Sequence, residues 1–208
     1  MIIERINKEI NKNEVVKLEE AKKILEILKR HYPGIFDGLK IKYGNFYCYH
    51  ERTHTVYIQS SLGCTEEEIK CDYAIIDIVN EKYGLNLEKN ARCISIHALL
   101  HELGHAADLT YKKVQGRYEE YICIDEDERL IFNSKTQAYY KMREEYDEII
   151  EIVNLGLGYS LSIKAEELEM KIEQLEKELD RDYREIITEA AADRFCACLL
   201  KGMCRNII

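Results

Sequence analysis

The sequence predicts an α+β, mainly helical fold. It is one domain over 1–208, with a small antiparallel sheet and an inserted antiparallel helical hairpin at 131–186. Three observations predict it. Apolar residues recur at helical steps of three and four along most of the chain. Only 40–60 changes to a strand-like pattern. One proline and no tryptophan occur in 208 residues, so little interrupts long helices.

Val15, Val16, Leu18, Ala21, Ile24, Leu25 and Leu28 give the first helix, over 14–31. His31-Tyr32-Pro33-Gly34 ends it, since proline and glycine both stop helices. Ile41, Tyr43, Phe46, Tyr47 and Tyr49 read as one strand. Thr53, Thr55, Val56, Tyr57 and Ile58 read as its partner, with Glu51-Arg52 near the turn. Thr65 and Glu68 form a capping box for a helix running to Tyr83-Gly84. Residues 91–108, ARCISIHALLHELGHAAD, read as a core helix. Tyr139, Met142, Tyr146, Ile149 and Val153 mark one arm of the hairpin. Ala165, Leu168, Ile172, Leu175 and Leu179 mark the other. The glycine-containing turn at 154–160 joins them, leaving Leu155, Leu157 and Tyr159 at an exposed tip. The last helix spans about 183–201 and contains TEAAADRFCACLL.

A chain this long buries roughly 70% of its unfolded surface and needs no disulfide staple. The net charge of −9 repels phosphate backbones and argues against nucleic acid as a direct ligand. The N-terminal MIIERINKEINKNE has no apolar run of signal-peptide length, and no stretch has the length of a membrane span. Cytoplasmic residence follows as the expectation. The eight cysteines, at 48, 64, 71, 93, 123, 196, 198 and 204, contain no Cys-x-x-Cys pair. They are expected to remain thiols packed as small hydrophobes.

The chemistry is carried by His101-Glu102-Leu103-Gly104-His105, a His-Glu-x-x-His pattern on a helix. Residues four apart lie on one face, so both imidazoles can converge on one zinc ion at about 2.0–2.1 Å. Glu102 is offset by one residue. It stands beside such an ion and can take a proton from water. Leu99, Leu100, Leu103, Ala106 and Ala107 embed the polar trio in an apolar helix. Burying these groups without compensation is costly, so a bound cation is the economical explanation. His97 and His101 make a competing register, but the base position would then be Ala98. His97 is therefore read as a core residue.

Catalytic zinc needs a third protein ligand. Glu189 is the choice, with Asp193 four residues on to hydrogen-bond the far nitrogen of a zinc histidine. Ala190, Ala191 and Ala192, with Gly104 opposite, would allow the two helices close approach. Asp108 and the acidic cluster Asp125-Glu126-Asp127-Glu128 remain as alternative ligands, the cluster reading more simply as a solvated turn.

HELGH followed by Glu189, Ala192, Asp193, Phe195 and Ala197, with Leu199-Leu200 after them, resembles the gluzincin metallopeptidases. Within these the chain is most similar to the ImmA/IrrE-type peptidases of bacteria and mobile elements. The resemblance covers two helices, about a fifth of the chain. It implies a zincin-like domain and a cytoplasmic enzyme that cleaves a transcriptional repressor. The chain departs from the family in the long gap from His105 to Glu189 and in Ala191, where a second glutamate often stands.

The expectation is thus a zinc-dependent peptidase with Glu102 as base, His101, His105 and Glu189 on Zn2+, and Asp193 behind them. Its substrate would be a peptide or protein pairing with an edge strand at Thr53–Ser60. Tyr111, Tyr118 and Tyr159 are candidates to steady the oxyanion. The alternative is a non-catalytic zinc-containing antirepressor module that grips a protein partner with the acidic hairpin.

Overall fold

The computed structural model describes residues 14–61, 66–155 and 159–204. Thr65 and Leu157 lie outside these residues, as do the capping box's side chains and the Tyr159 side chain. The chain divides into two compact units. One takes Met1–Tyr121 and Thr188–Ile208, and the other Ile122–Ile187.

In the first unit, α1 spans Leu18–His31 and buries Ala21, Ile24, Leu25 and Leu28. Glu20 closes its first turn by accepting from the Lys17 N–H at 2.9 Å. The same carboxylate pairs at both oxygens with the buried Arg92 (2.9 and 3.1 Å), tying α1 to a later helix. Burial pushes the Glu20 carboxyl up, but Arg92 and the Lys17 N–H outweigh it and hold it below its ordinary value. Val16 precedes the helix, fully buried, and its N–H donates to Ser95 Oγ at 3.0 Å.

The sheet corrects the two-stranded expectation. It has three strands, β1 (Lys40–Tyr43), β2 (Cys48–His50) and β3 (Thr55–Ile58), in the order β1-β3-β2. β1 runs parallel to β3, pairing Ile41 with Val56, and β2 runs antiparallel to it, pairing Tyr49 with Val56. The single strand read from Ile41 to Tyr49 is broken at Gly44. There the N–H donates to Ile58 O at 2.9 Å, and a Cβ would meet Tyr57 Cβ at 2.9 Å. The chain passes round the end of β3, and Phe46 is left 72% exposed. β3 is therefore the central strand, with Val56 and Ile58 fully buried. It is not the edge strand expected for Thr53–Ser60, because its hydrogen bonds are used on both sides.

A short 3-10 turn, Glu51–Thr53, links β2 to β3 and ends at His54, whose φ of +48° is left-handed. α2 (Glu66–Tyr83) ends at Gly84, where φ is +60°. The Asn80 side chain then pins the following loop through Leu87 N and O. α3 (Ala91–Val114) is capped by Asn90, whose Oδ1 accepts from Cys93 N at 2.8 Å. It runs a turn and a half past the expected end at 108. Leu99, Leu100, Leu103 and Ala106 are fully buried and join α1, Phe36 and the sheet in one core.

The second unit is built from α4 (Tyr118–Asn154, entering this unit at Ile122) and α5 (Tyr159–Glu185). Lys135 pairs with Asp182, Lys164 with Glu145, and the Phe132 ring with that of Tyr183. The partner's number falls as the first rises, so the arms are antiparallel. Ile149, Ala165 and Leu168 form the apolar seam, with Met142, Tyr146 and Val153 against it. α4 begins well before the expected 131. The cluster at 125–128 is therefore helical and not a solvated turn. Asp125 is buried and pairs with Arg129 at 2.8 Å, while Glu128 accepts from Ile187 N at 2.6 Å. The helix expected over 183–201 is likewise divided, because α5 stops at Glu185 and α6 runs over Ile187–Cys204.

The fold is thus α+β and mainly helical, with a small mixed sheet. No helix among the described residues is long and apolar enough to cross a membrane.

Candidate metal centre

The site lies where α3 meets α6. A Cβ on Gly104 would stand 2.8 Å from both Ala192 Cα and Ala192 O. Only glycine allows the backbones this approach. It brings the α3 face carrying His101 and His105 against the α6 face carrying Glu189 and Asp193.

Three donor atoms converge there. His101 Nε2 lies 3.1 Å from Glu189 Oε2 and 3.1 Å from His105 Nε2. His105 Nε2 lies 3.4 Å from Glu189 Oε2. A tetrahedral ion at about 2.0–2.1 Å from each donor requires donor separations of about 3.3–3.4 Å. The observed triangle has that size.

The outer nitrogen of His101 is fixed as well. Nδ1 donates to Asp193 Oδ1 at 2.8 Å, and Asp193 is 1% exposed. With its proton on Nδ1, the neutral ring presents the Nε2 lone pair to the other two donors. The Nε2 lone pair of His101, the His105 Nε2 and a carboxylate 3% exposed therefore face one another, and a bound cation or a shared proton would satisfy all three. Burial lowers the His101 pKa, but the hydrogen bonds to Asp193 and Glu189 outweigh it and carry it up to about 9. The residues present fit a divalent cation on charge, donor type and spacing.

Glu102 points to the same place from a different anchor. Its donor oxygen lies within 4.8 Å of those of the two histidines. The carboxylate accepts the Tyr49 backbone N–H at 2.6 Å, which fixes it against β2. That metal-capable group of His101, Glu102 and His105 contains no thiol. The structure thus brings together His101, Glu102, His105, Glu189 and Asp193.

Other candidates lie elsewhere. His97 is buried, its ring stacked on that of His101 at a centroid distance of 6.1 Å. Its carbonyl accepts from Cys196 Sγ at 3.7 Å. Asp108 accepts the Tyr121 hydroxyl. Tyr111 is half-exposed, and the Tyr118 hydroxyl donates to Glu51 at 2.6 Å. That bond, aided by burial, pushes the Tyr118 pKa up to about 12. Phe195 packs with Tyr32 and Phe36, so this element of the resemblance is a core contact.

Sequence reasoning missed the groups behind Glu102. The sequence pattern marks Tyr49 only as a strand residue. Its hydroxyl bonds His54 Nδ1 at 2.8 Å, and Glu51 in the adjoining turn accepts from Lys113 at 2.7 Å as well as from Tyr118. No spacing in the chain joins residues 49–54 to 102–118, so nothing short of the fold could reveal them. Comparison with family models, with curated proteins and with solved structures returns no match.

Proposed function

We propose that the protein is a zinc-dependent metallopeptidase of the zincin-like, gluzincin type that hydrolyses peptide bonds with Glu102 as general base. One observation carries the reading. Two imidazole nitrogens and one carboxylate oxygen form a triangle of 3.1–3.4 Å, with a second carboxylate beside them. A structural zinc site has no use for that extra carboxylate. Zinc, when bound, supplies a Lewis acid that acidifies water and polarises a carbonyl.

The chain's own groups supply the rest. His101, His105 and Glu189 would hold the ion, and Asp193 keeps His101 in the tautomer that can ligate. Glu102 takes a proton from the attacking water and returns it to the departing amine. β2 has β3 on one side only. An extended substrate would lie along its other edge and pair there through strand carbonyls, since the Tyr49 N–H is taken by Glu102.

The ImmA/IrrE likeness narrows the substrate to a transcriptional repressor. That narrower reading rests on Glu189, Ala192, Asp193, Phe195 and Ala197 alone. The non-catalytic alternative requires a closed, four-ligand site. Glu102→Gln separates the two. It is expected to keep zinc and to lose hydrolysis by about 10²- to 10⁴-fold. Loss of zinc in this variant would make Glu102 a ligand and end the peptidase reading.

A further inference from the structure

We propose that the backbone N–H of Tyr49 is the positioning group that keeps Glu102 beside the metal centre as a base and out of it as a ligand. The inference rests on the peptidase reading and deepens it. Glu102 lies on the residue next to His101, with its donor oxygen within 4.8 Å of both histidine donors. An oxygen that near is within a side-chain rotation of joining a cation. A cation held by three protein ligands attracts a further carboxylate, and closing the site would remove the open position that catalysis needs. Something must hold the carboxylate back. The hydrogen bond the structure provides is the one from Tyr49 N, at 2.6 Å. It is short, as bonds to a charged acceptor are.

The donor is itself braced. Tyr49 lies in the middle of β2, and its N–H is directed at Glu102, away from the ladder with β3. Its ring is half-buried, and its hydroxyl meets His54 Nδ1 at 2.8 Å. His54 holds a left-handed φ of +48° that few side chains adopt, with its N–H bonded to Glu51 O at 3.0 Å. The Glu51 side chain is clamped by Lys113 at 2.7 Å and Tyr118 at 2.6 Å, and the Lys113 ammonium sits over the Tyr118 ring. Lys113 stands at the end of the helix that carries Glu102. The strand is thereby fixed to the same helix at two points, Glu102 and Lys113. The Tyr49 N–H cannot drift from the carboxylate without breaking one of them.

The test removes one N–H. Tyr49→Pro deletes the donor, and the edge position spares the ladder. Tyr49→Ala removes the ring and keeps the N–H. An ester at this bond, from the α-hydroxy acid of tyrosine, deletes the N–H alone and decides the matter if the proline variant does not fold. Each protein is loaded with Co2+, whose visible bands report coordination, and assayed for peptide hydrolysis. The proline and ester variants are expected to bind Co2+ at least as tightly as the parent, with bands shifted by a new carboxylate ligand. Their kcat should fall about 10- to 100-fold at unchanged KM, while Tyr49→Ala keeps the parent's bands. Parental bands and parental kcat in the ester protein would overturn the inference. If the parent itself cleaves no peptide, the peptidase reading fails, and the Co2+ bands alone decide the role of Tyr49.

Discussion

The two units of this chain carry very different net charge. Residues 122–187 carry 18 acidic and nine basic side chains, a net of −9 that equals the charge of the whole chain. The remaining 21 acidic and 21 basic residues cancel. In the hairpin arms, charges pair at the surface, as Lys164 and Glu145 do with both side chains about half exposed, while the buried Asp125 and Arg184 stand near the ends of the arms that adjoin the first unit in sequence. In the first unit the decisive pairs have buried members: Arg92 with the partly buried Glu20, and His101 with Asp193 and Glu189. Exposed pairs contribute about 0–1 kcal/mol and tolerate change. Buried ones hold their geometry because every alternative is costly. A metal centre requires the second kind.

The largest expected effects lie at the buried cluster. Glu189→Ala should abolish tight zinc binding, because two imidazoles alone make a poor site. Asp193→Ala should weaken it by about 10- to 100-fold, as loss of an orienting partner does. Zinc titration against a competing chelator measures both. Equal, small losses would mean that Glu189 and Asp193 serve only the packing of α6.

Packing comes next. Gly104→Ala places a Cβ against Ala192 backbone atoms, which cannot rotate away. The two helices must part, at a cost of about 1–3 kcal/mol by thermal or denaturant unfolding. Zinc affinity should fall with stability, since the donors sit on both helices. A stable Gly104→Ala protein with full affinity would break the argument from close approach.

The smallest effect on the metal comes from the largest deletion. Replacing 136–179 with a short Gly/Ser linker removes most of the hairpin's charge. It retains the Lys135–Asp182 pair and the Phe132–Tyr183 contact. Zinc affinity should stay within about twofold, while cleavage of the natural protein substrate is lost. A large loss of affinity would show that the two units do not divide the work as their charges do.

Much of this was legible in the chain because it is local. The spacing of His101 and His105, the 189/193 pair, and Gly104 opposite a run of alanines all follow from helix geometry. Long amphipathic stretches announced the hairpin arms for the same reason. What stayed hidden depends on distant partners. The run from Ile41 to Tyr49 looked like one strand, because tyrosines suit a strand wherever it pairs, and only Gly44 marked the break. Asp125 to Glu128 looked like a solvated turn. Arg129 and the Ile187 N–H give Asp125 and Glu128 partners, on a helix whose Glu126 and Asp127 do face solvent. Tyr49 carries its function on a backbone N–H, which no residue type encodes.

The central claim is that two imidazoles and a carboxylate of this chain hold a catalytic metal. X-ray absorption spectroscopy of the zinc-loaded protein tests it most directly. The account predicts a shell of nitrogen and oxygen only, at about 2.0–2.2 Å, with scattering from two imidazoles. Eight cysteines in the chain make the opposing result concrete. Sulfur neighbours at about 2.3 Å would place the zinc on thiolates and contradict the account.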